Sequence, residues 1–227
     1  MKNNRPITPL IRQQLIWPAV LLLALIANLS QAAASVTQTR ARCLSCHSID
    51  TGVDSGTDSP TADFPGPQLG GFSEKYIAEQ LKNFQSGLRG AGNPSANAMS
   101  KAAAELTERE IRDLAKWASS HNSQKLLNYQ AGITSPGAQL YAEKCRGCHN
   151  SFMGRTMTGS PRLDYLNADY IARQLQLFRH DFRTFSNPTK HQTKMLSVVK
   201  ALSKAQLNQL ITFVSDISPA NGNEALE

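Results

Sequence analysis

The stretch Cys43-Leu44-Ser45-Cys46-His47 recurs as Cys145-Arg146-Gly147-Cys148-His149, 102 residues later. The repetition continues downstream. Pro67-Gln68-Leu69 returns as Pro161-Arg162-Leu163, and residues 76–84 return as 170–178, both at an offset of 94. Arg89 matches Arg183 at the same offset, and Met99 and Leu106 match Met195 and Leu202 at 96. An internal repeat is one structural unit used twice, so the chain is constrained to two similar halves. The change from 102 to 94 places an eight-residue excess in the first half, between His47 and Pro67. Residues 50–63, rich in Asp, Ser, Thr and Gly, read as a surface loop that accommodates it. The halves are expected at 35–120 and 135–220. Residues 121–134 read as a linker packing through Leu126, Leu127 and Tyr129, and 221–227 as a C-terminal tail.

The N-terminus reads as an export signal. Lys2, Arg5 and Arg12 precede an apolar run over 15–29, and Ala32-Ala33-Ala34-Ser35 supplies the small residues of a cleavage junction. Cleavage is expected after Ala34. A retained membrane anchor is the alternative, but the run is short for a span of about 20 residues, and Pro18 and Asn28 interrupt it. The full chain has 227 residues, 41% hydrophobic and 18% charged, which suits a packed core rather than a disordered or fibrous chain. Its formal charge of +7 comes from 24 Lys plus Arg against 17 Asp plus Glu. Removing 1–34 takes away three positive charges and leaves +4. Scattered basicity of that size does not point to nucleic acid, which is met by clustered basic stripes.

Each half reads as a few helices. Ser135-Pro136 is an N-cap and first-turn pair. Ser73 and Asn167 are matched N-caps before the two Tyr-Ile-Ala segments. Thr107 with Glu110, and Ser203 with Gln206, have the spacing of capping boxes and open the last helix of each half. Ile111, Leu114 and Trp117, then Leu207, Leu210 and Phe213, recur at helical spacing along those helices. No period-two run demands a sheet, so the expected class is all-α. At about 85 residues each half is small for a self-sufficient core, and something besides side chains should help hold it together.

The cysteines and histidines carry the chemistry. Cys-x-x-Cys-His is the attachment pattern for c-type haem. Two thiols three positions apart near a helix start reach the two vinyl groups of one porphyrin, and the adjacent His stands under the iron. A disulfide framework would not explain a His after both pairs. A zinc site built from both pairs would leave the His idle and conflict with a repeat in which each pair anchors its own half. A thioredoxin-type motif wants a preceding strand, which neither copy offers.

A six-coordinate haem iron needs a second axial ligand. Met99 is the single Met of 35–120, 52 residues after His47, in a polar stretch (90–100) read as a loop. The second half offers Met153, Met157 and Met195. The first two follow His149 by eight residues at most, in a segment read as a loop, too close for an opposite approach to the iron. Met195 aligns with Met99 and is the expected ligand. Among other histidines, His121 reads as linker surface and His180 as a helix-end cation. His191, four residues before Met195, stays open as a rival. His/Met ligation raises the potential relative to bis-His ligation, which suits the oxidising end of an electron chain. The carbonyls of Pro67 and Pro161 are candidates to fix the imidazole tautomers; an ordinary turn is an equal reading. Arg89 and Arg183 are open between approach to haem propionates and solvated helix-end charges.

These motifs, each followed by Pro-x-Leu, Tyr-Ile-x-x-Gln-Leu, an Arg, a Met and an amphipathic helix, resemble the cytochrome c4 family of dihaem periplasmic cytochromes over nearly all of 35–220. The resemblance implies two tandem class I cytochrome c domains, each a small helical fold around one covalently bound haem c, with the haems facing each other across the interface. It implies Cys43, Cys46, His47 and Met99 at the first haem iron site, and Cys145, Cys148, His149 and Met195 at the second. It implies a periplasmic carrier passing electrons between redox proteins of a respiratory chain toward a terminal oxidase. The alternative it leaves open is an electron-accepting subunit of a dehydrogenase. A stand-alone dihaem enzyme would need an open haem, whereas both halves supply a Met. No nucleic acid and no small-molecule substrate is expected. The chain departs from the family in its first attachment segment (36–42), which lacks the Leu140-Tyr141 pair of the second. It also departs in Asp181, where the first half has Gly87, in the insert after His47, and in a basic stretch over 187–194.

Overall fold

Side chains that cap helices set most of the element boundaries. The computed structural model describes residues 37–47, 49, 66–89, 94–121 and 134–217. The segment read as an export signal, the 50–63 insert, residues 122–133 of the expected linker and the 221–227 tail lie outside these. Among the described residues the architecture is all-α: α1 over 37–44, α2 (Glu74–Gln85), α3 (Pro94–Ala104), α4 (Glu108–Ser119), α5 (Pro136–Lys144), α6 (Arg146–His149), α7 (Phe152–Thr158), α8 (Ala168–Arg179), α9 (Lys190–Ala201) and α10 (Lys204–Asp216). None of these is long and apolar enough to cross a membrane.

The matched helices α2 and α8 start on matched caps. The Ser73 hydroxyl accepts from the Tyr76 N–H, and the Asn167 carbonyl oxygen from the Tyr170 N–H. Capping boxes open α4 (Thr107 with Glu110) and α10 (Ser203 with Gln206). Ser135 caps α5, with Pro136 in its first turn. Each such cap satisfies an N–H that has no partner inside the helix, worth about 1 kcal/mol.

Two stretches read as loops are helices. Met99 lies inside α3 and Met195 inside α9, and α9 starts on a further capping box, Thr189 with Gln192. Among α9 residues Val199 alone is fully buried, and Met195, Val198 and Val199 give the sequence only a short apolar rhythm. The segment after the second motif is also a helix, α7, capped by Ser151 and ended at Gly159. Gly87 and Asp181 both adopt the left-handed backbone conformation, at φ 71° and 61°. Asp181 thus keeps the turn where glycine is absent, consistent with the tolerance of Asp for that region.

Contacts separate a unit ending at Cys43 from one beginning at Leu44, and the remainder of both halves lies in the second. There α2 packs on α3 and α4, and α10 on α5 and α8. One apolar cluster includes Phe72, Ile77 and Ala118 of the first half with Tyr141, Leu210 and Phe213 of the second. The halves are further joined by an isolated antiparallel bridge between Arg89 and Arg183, and by Thr184 N–H donating to the Leu88 carbonyl at 2.9 Å.

Candidate haem-binding sites

The second motif sits where α5 turns into α6. Cys145 is the C-cap of α5, and Cys148 and His149 lie in α6. Cys46 is exposed, and Cys145 and Cys148 are half-buried. Burial, with Cys148 adding, pushes the Cys145 thiol up to about 12. That environment favours an uncharged sulfur, and a thioether is one. In the first motif Cys43 lies in α1 and is half-buried.

The two histidines are held alike. His47 and His149 are buried, at 7% and 8% exposure. His47 Nδ1 lies 2.7 Å from the Pro67 carbonyl oxygen, and His149 Nδ1 2.8 Å from that of Pro161. A carbonyl oxygen only accepts, so each Nδ1 carries the proton and each Nε2 keeps its lone pair. Burial lowers the pKa of both imidazoles. The proline carbonyls oppose this, and the Arg89 and Arg155 charges reinforce it. The Pro-x-Leu repeat is therefore more than a turn: it supplies the acceptor that fixes the tautomer.

In the first half His47 Nε2 faces Met99 Sδ at 3.4 Å. Neither atom bears a proton, so the contact is not a hydrogen bond, and it lies in a part-buried place. That is the donor set of a metal ion, an imidazole nitrogen opposite a thioether sulfur, and it fits a haem iron. Gly66 stands against the same imidazole. A Cβ there would lie 2.5 Å from His47 Nδ1 and 2.9 Å from the Cys46 carbonyl oxygen, which already accepts from the Gly66 N–H at 2.8 Å. The repeat hides this residue, because Ser160 occupies the matching place in the second half.

The second half is less closed. Met195 is half-buried on α9, and no contact of that kind joins it to His149 among the described residues. His191 is half-buried one turn before Met195. Met153 and Met157 stand on α7 at 70% and 72% exposure. His121 Nδ1 lies 2.7 Å from the Trp117 carbonyl, and His180 is the C-cap of α8.

Arg89 and Arg183 are not solvated helix-end charges. They are 7% and 6% exposed, each over a phenylalanine ring of its own half, Phe84 at 4.3 Å and Phe178 at 4.4 Å. Arg89 donates to Gln80 of its own half and to Tyr170 and Gln174 of the other. Arg183 mirrors it, donating to Gln174 and, across the junction, to Gln80 and Tyr76. Burial alone would raise the pKa of the Tyr170 hydroxyl, but Arg89 and Arg183 outweigh it and lower the pKa.

The family model for cytochrome c matches this chain twice, over residues 32–122 and 134–218. The chain belongs to the cytochrome c family. It is 26% identical over 189 residues to cytochrome c4 of Pseudomonas aeruginosa, covering 77% of this chain and 83% of that one. It is 30% identical over 154 residues to cytochrome c4 of Azotobacter vinelandii, covering 63% and 70%. Among solved structures it is similar to cytochrome c4 of Acidithiobacillus ferrooxidans, with a TM-score of 0.47 and 21% identity, covering 69% of this chain and 94% of that one. Two cytochrome c regions, each with its own Cys-x-x-Cys-His, make this a dihaem c-type electron carrier with two covalently bound haem c groups.

Proposed function

We propose that Cys43 and Cys46 would hold one haem through thioethers, with His47 and Met99 ligating its iron, and that Cys145, Cys148, His149 and Met195 would serve the other. The domains are 35–120 and 135–220. The chain is exported to the periplasm, cleaved after Ala34, and carries electrons between redox proteins of a respiratory chain toward a terminal oxidase. It is a carrier rather than an enzyme, since a haem iron that took both a His and a Met would leave no position open to a substrate.

When bound, the haem supplies reversible one-electron exchange at its iron. The protein's own groups set the terms of that exchange. Each proximal imidazole is buried, neutral and oriented by a proline carbonyl. A methionine thioether as ligand would favour the reduced iron and raise the potential. Burial excludes water and so limits the reorganisation that a change of charge would otherwise demand.

The observation that carries this reading is the approach of His47 Nε2 to Met99 Sδ with Nδ1 already committed to Pro67. A pyridine haemochrome assay on the mature protein should give two haems per chain, and a near-infrared Met–iron band should accompany them. Met99→His should lower one potential with attachment intact. One haem or none, or turnover of peroxide by the unmodified protein, overturns the reading. Sequencing of the mature N-terminus should begin at Ser35.

A further inference from the structure

The two proline carbonyls that orient the histidines are not independent. Gln68 follows Pro67 directly and is 4% exposed. Its Nε2 donates to the Tyr165 carbonyl of the other half at 2.7 Å. The Tyr165 ring lies against the first half at Gly71, where a Cβ would strike it. Tyr165 is in turn locked to Arg162. The Arg162 guanidinium stacks 4.0 Å over the ring, and its Nη1 donates to the Tyr165 hydroxyl at 2.8 Å. Arg162 Nε also donates to the buried Asp164 at 2.9 Å. Arg162 directly follows Pro161, whose carbonyl takes the His149 proton.

From His47 to His149 the path is one hydrogen bond, one dipeptide, the Gln68–Tyr165 bond, the stiffened turn 161–165 and one last hydrogen bond. The matched residues of the repeat divide the work. Arg162 stays at home and rigidifies its loop, while Gln68 reaches across. We propose that Gln68 is a positioning residue that ties the proximal loop of one haem site to that of the other, so that the two potentials are set together. The proposal rests on the ligand assignment above. A carbonyl held close to Nδ1–H makes the imidazole a stronger donor to iron and lowers the potential. A carbonyl allowed to drift does the reverse.

The test is Gln68→Met in the haem-loaded protein, which keeps the length of the side chain and removes its donor. Each haem is followed in a redox titration by the paramagnetically shifted methyl signal of its Met, and Nδ1–H exchange is measured at both histidines. Both potentials should rise and both Nδ1–H groups should exchange severalfold faster. Gln68→Asn, which keeps an amide but shortens its reach, should give the same pair of shifts in milder form if the Met variant folds poorly. Tyr165→Phe keeps the acceptor carbonyl and the ring but loses the hydroxyl, and should move the second haem alone. A Gln68 effect confined to the first haem, or absent from both, overturns the proposal. Absence of both Met methyl signals from the unmodified protein would overturn the ligand assignment instead, and exchange at the two histidines still decides the link.

Discussion

Arg89 and Arg183 meet in the interior as an antiparallel bridged pair, two like charges that share their acceptors. Gln80 Oε1 receives Arg89 Nη1 and Arg183 Nη2, each at 2.8 Å. Gln174 Oε1 receives Arg183 Nη1 at 2.6 Å and Arg89 Nη2 at 3.2 Å. Among the described residues no carboxylate forms an ion pair with either arginine. The halves are thus joined by neutral oxygens that serve both cations at once.

Sharing makes the two arginines non-additive. Arg89→Met leaves each glutamine oxygen one donor and relieves the repulsion between the charges, so it should cost only about 1–2 kcal/mol. The same holds for Arg183→Met. Removing both strips Gln80 and Gln174 of their last charged donors and has no further repulsion to relieve. Denaturant unfolding of the four proteins in a double-mutant cycle should show the double variant losing more than the two single losses combined. A double loss equal to or below that combination would mean that the acceptors are not shared in solution.

Gly66 offers a sharper local test. A methyl there must displace the His47 ring or the Cys46 carbonyl, and both residues belong to the proposed attachment of the first haem. Gly66→Ala should therefore disturb one haem of the two. The near-infrared Met–iron intensity should fall by about half, with overpacking costing about 1–3 kcal/mol of stability. Ser160→Ala, at the matching place in the second half, should leave the spectrum unchanged.

Much of this was legible in the chain because local chemistry writes itself into spacing. Ser73, Asn167, Thr107 and Ser203 cap helices where their side chains announce it, and the Pro67 and Pro161 carbonyls accept from the imidazoles where the repeat places them. What escaped was decided elsewhere in the molecule. Helix α9 shows only a short apolar rhythm, although Thr189 and Gln192 already had the spacing used at Ser203 and Gln206. Arg183 stays open in the sequence between a haem propionate and solvent until Gln80 and Tyr76, more than a hundred residues away, supply its partners. Gly66 is required by an imidazole 19 positions back, and no periodicity records that.

The capping boxes that open α4 and α10 pair Thr107 with Glu110 and Ser203 with Gln206, and the carboxylate in the first makes it pH-dependent. Glu110 accepts from the Thr107 N–H and then from its hydroxyl, which lowers the carboxyl's pKa. A lowered folded pKa contributes stability that is present above the unfolded value of about 4.3 and fades as pH falls through the folded one. Gln206 holds the same place in α10 with no charge to lose. Glu110→Gln should thus cost little near pH 3 and up to about 0.5 kcal/mol at pH 7, small because the carboxylate is exposed. Denaturation midpoints of the two proteins from pH 3 to 7 should converge at the acid end. Parallel curves would remove the ionised carboxylate from the cap.

Met195 and His191 stand four residues apart on α9, so both present to nearly the same side of that helix. The repeat favours Met195, because Met99 occupies the matching place on α3 and faces His47. A His ligand would give the second haem a low potential and no Met–iron band, while a Met ligand gives a high potential and a band from each haem. Met195→Leu should therefore halve the near-infrared intensity and open the second iron to added imidazole, whereas His191→Ala should change neither. If His191 were the ligand, Met195→Leu would leave the band as it is, and His191→Ala would open the iron instead. The two variants predict opposite spectra, so a single pair of measurements assigns the ligand.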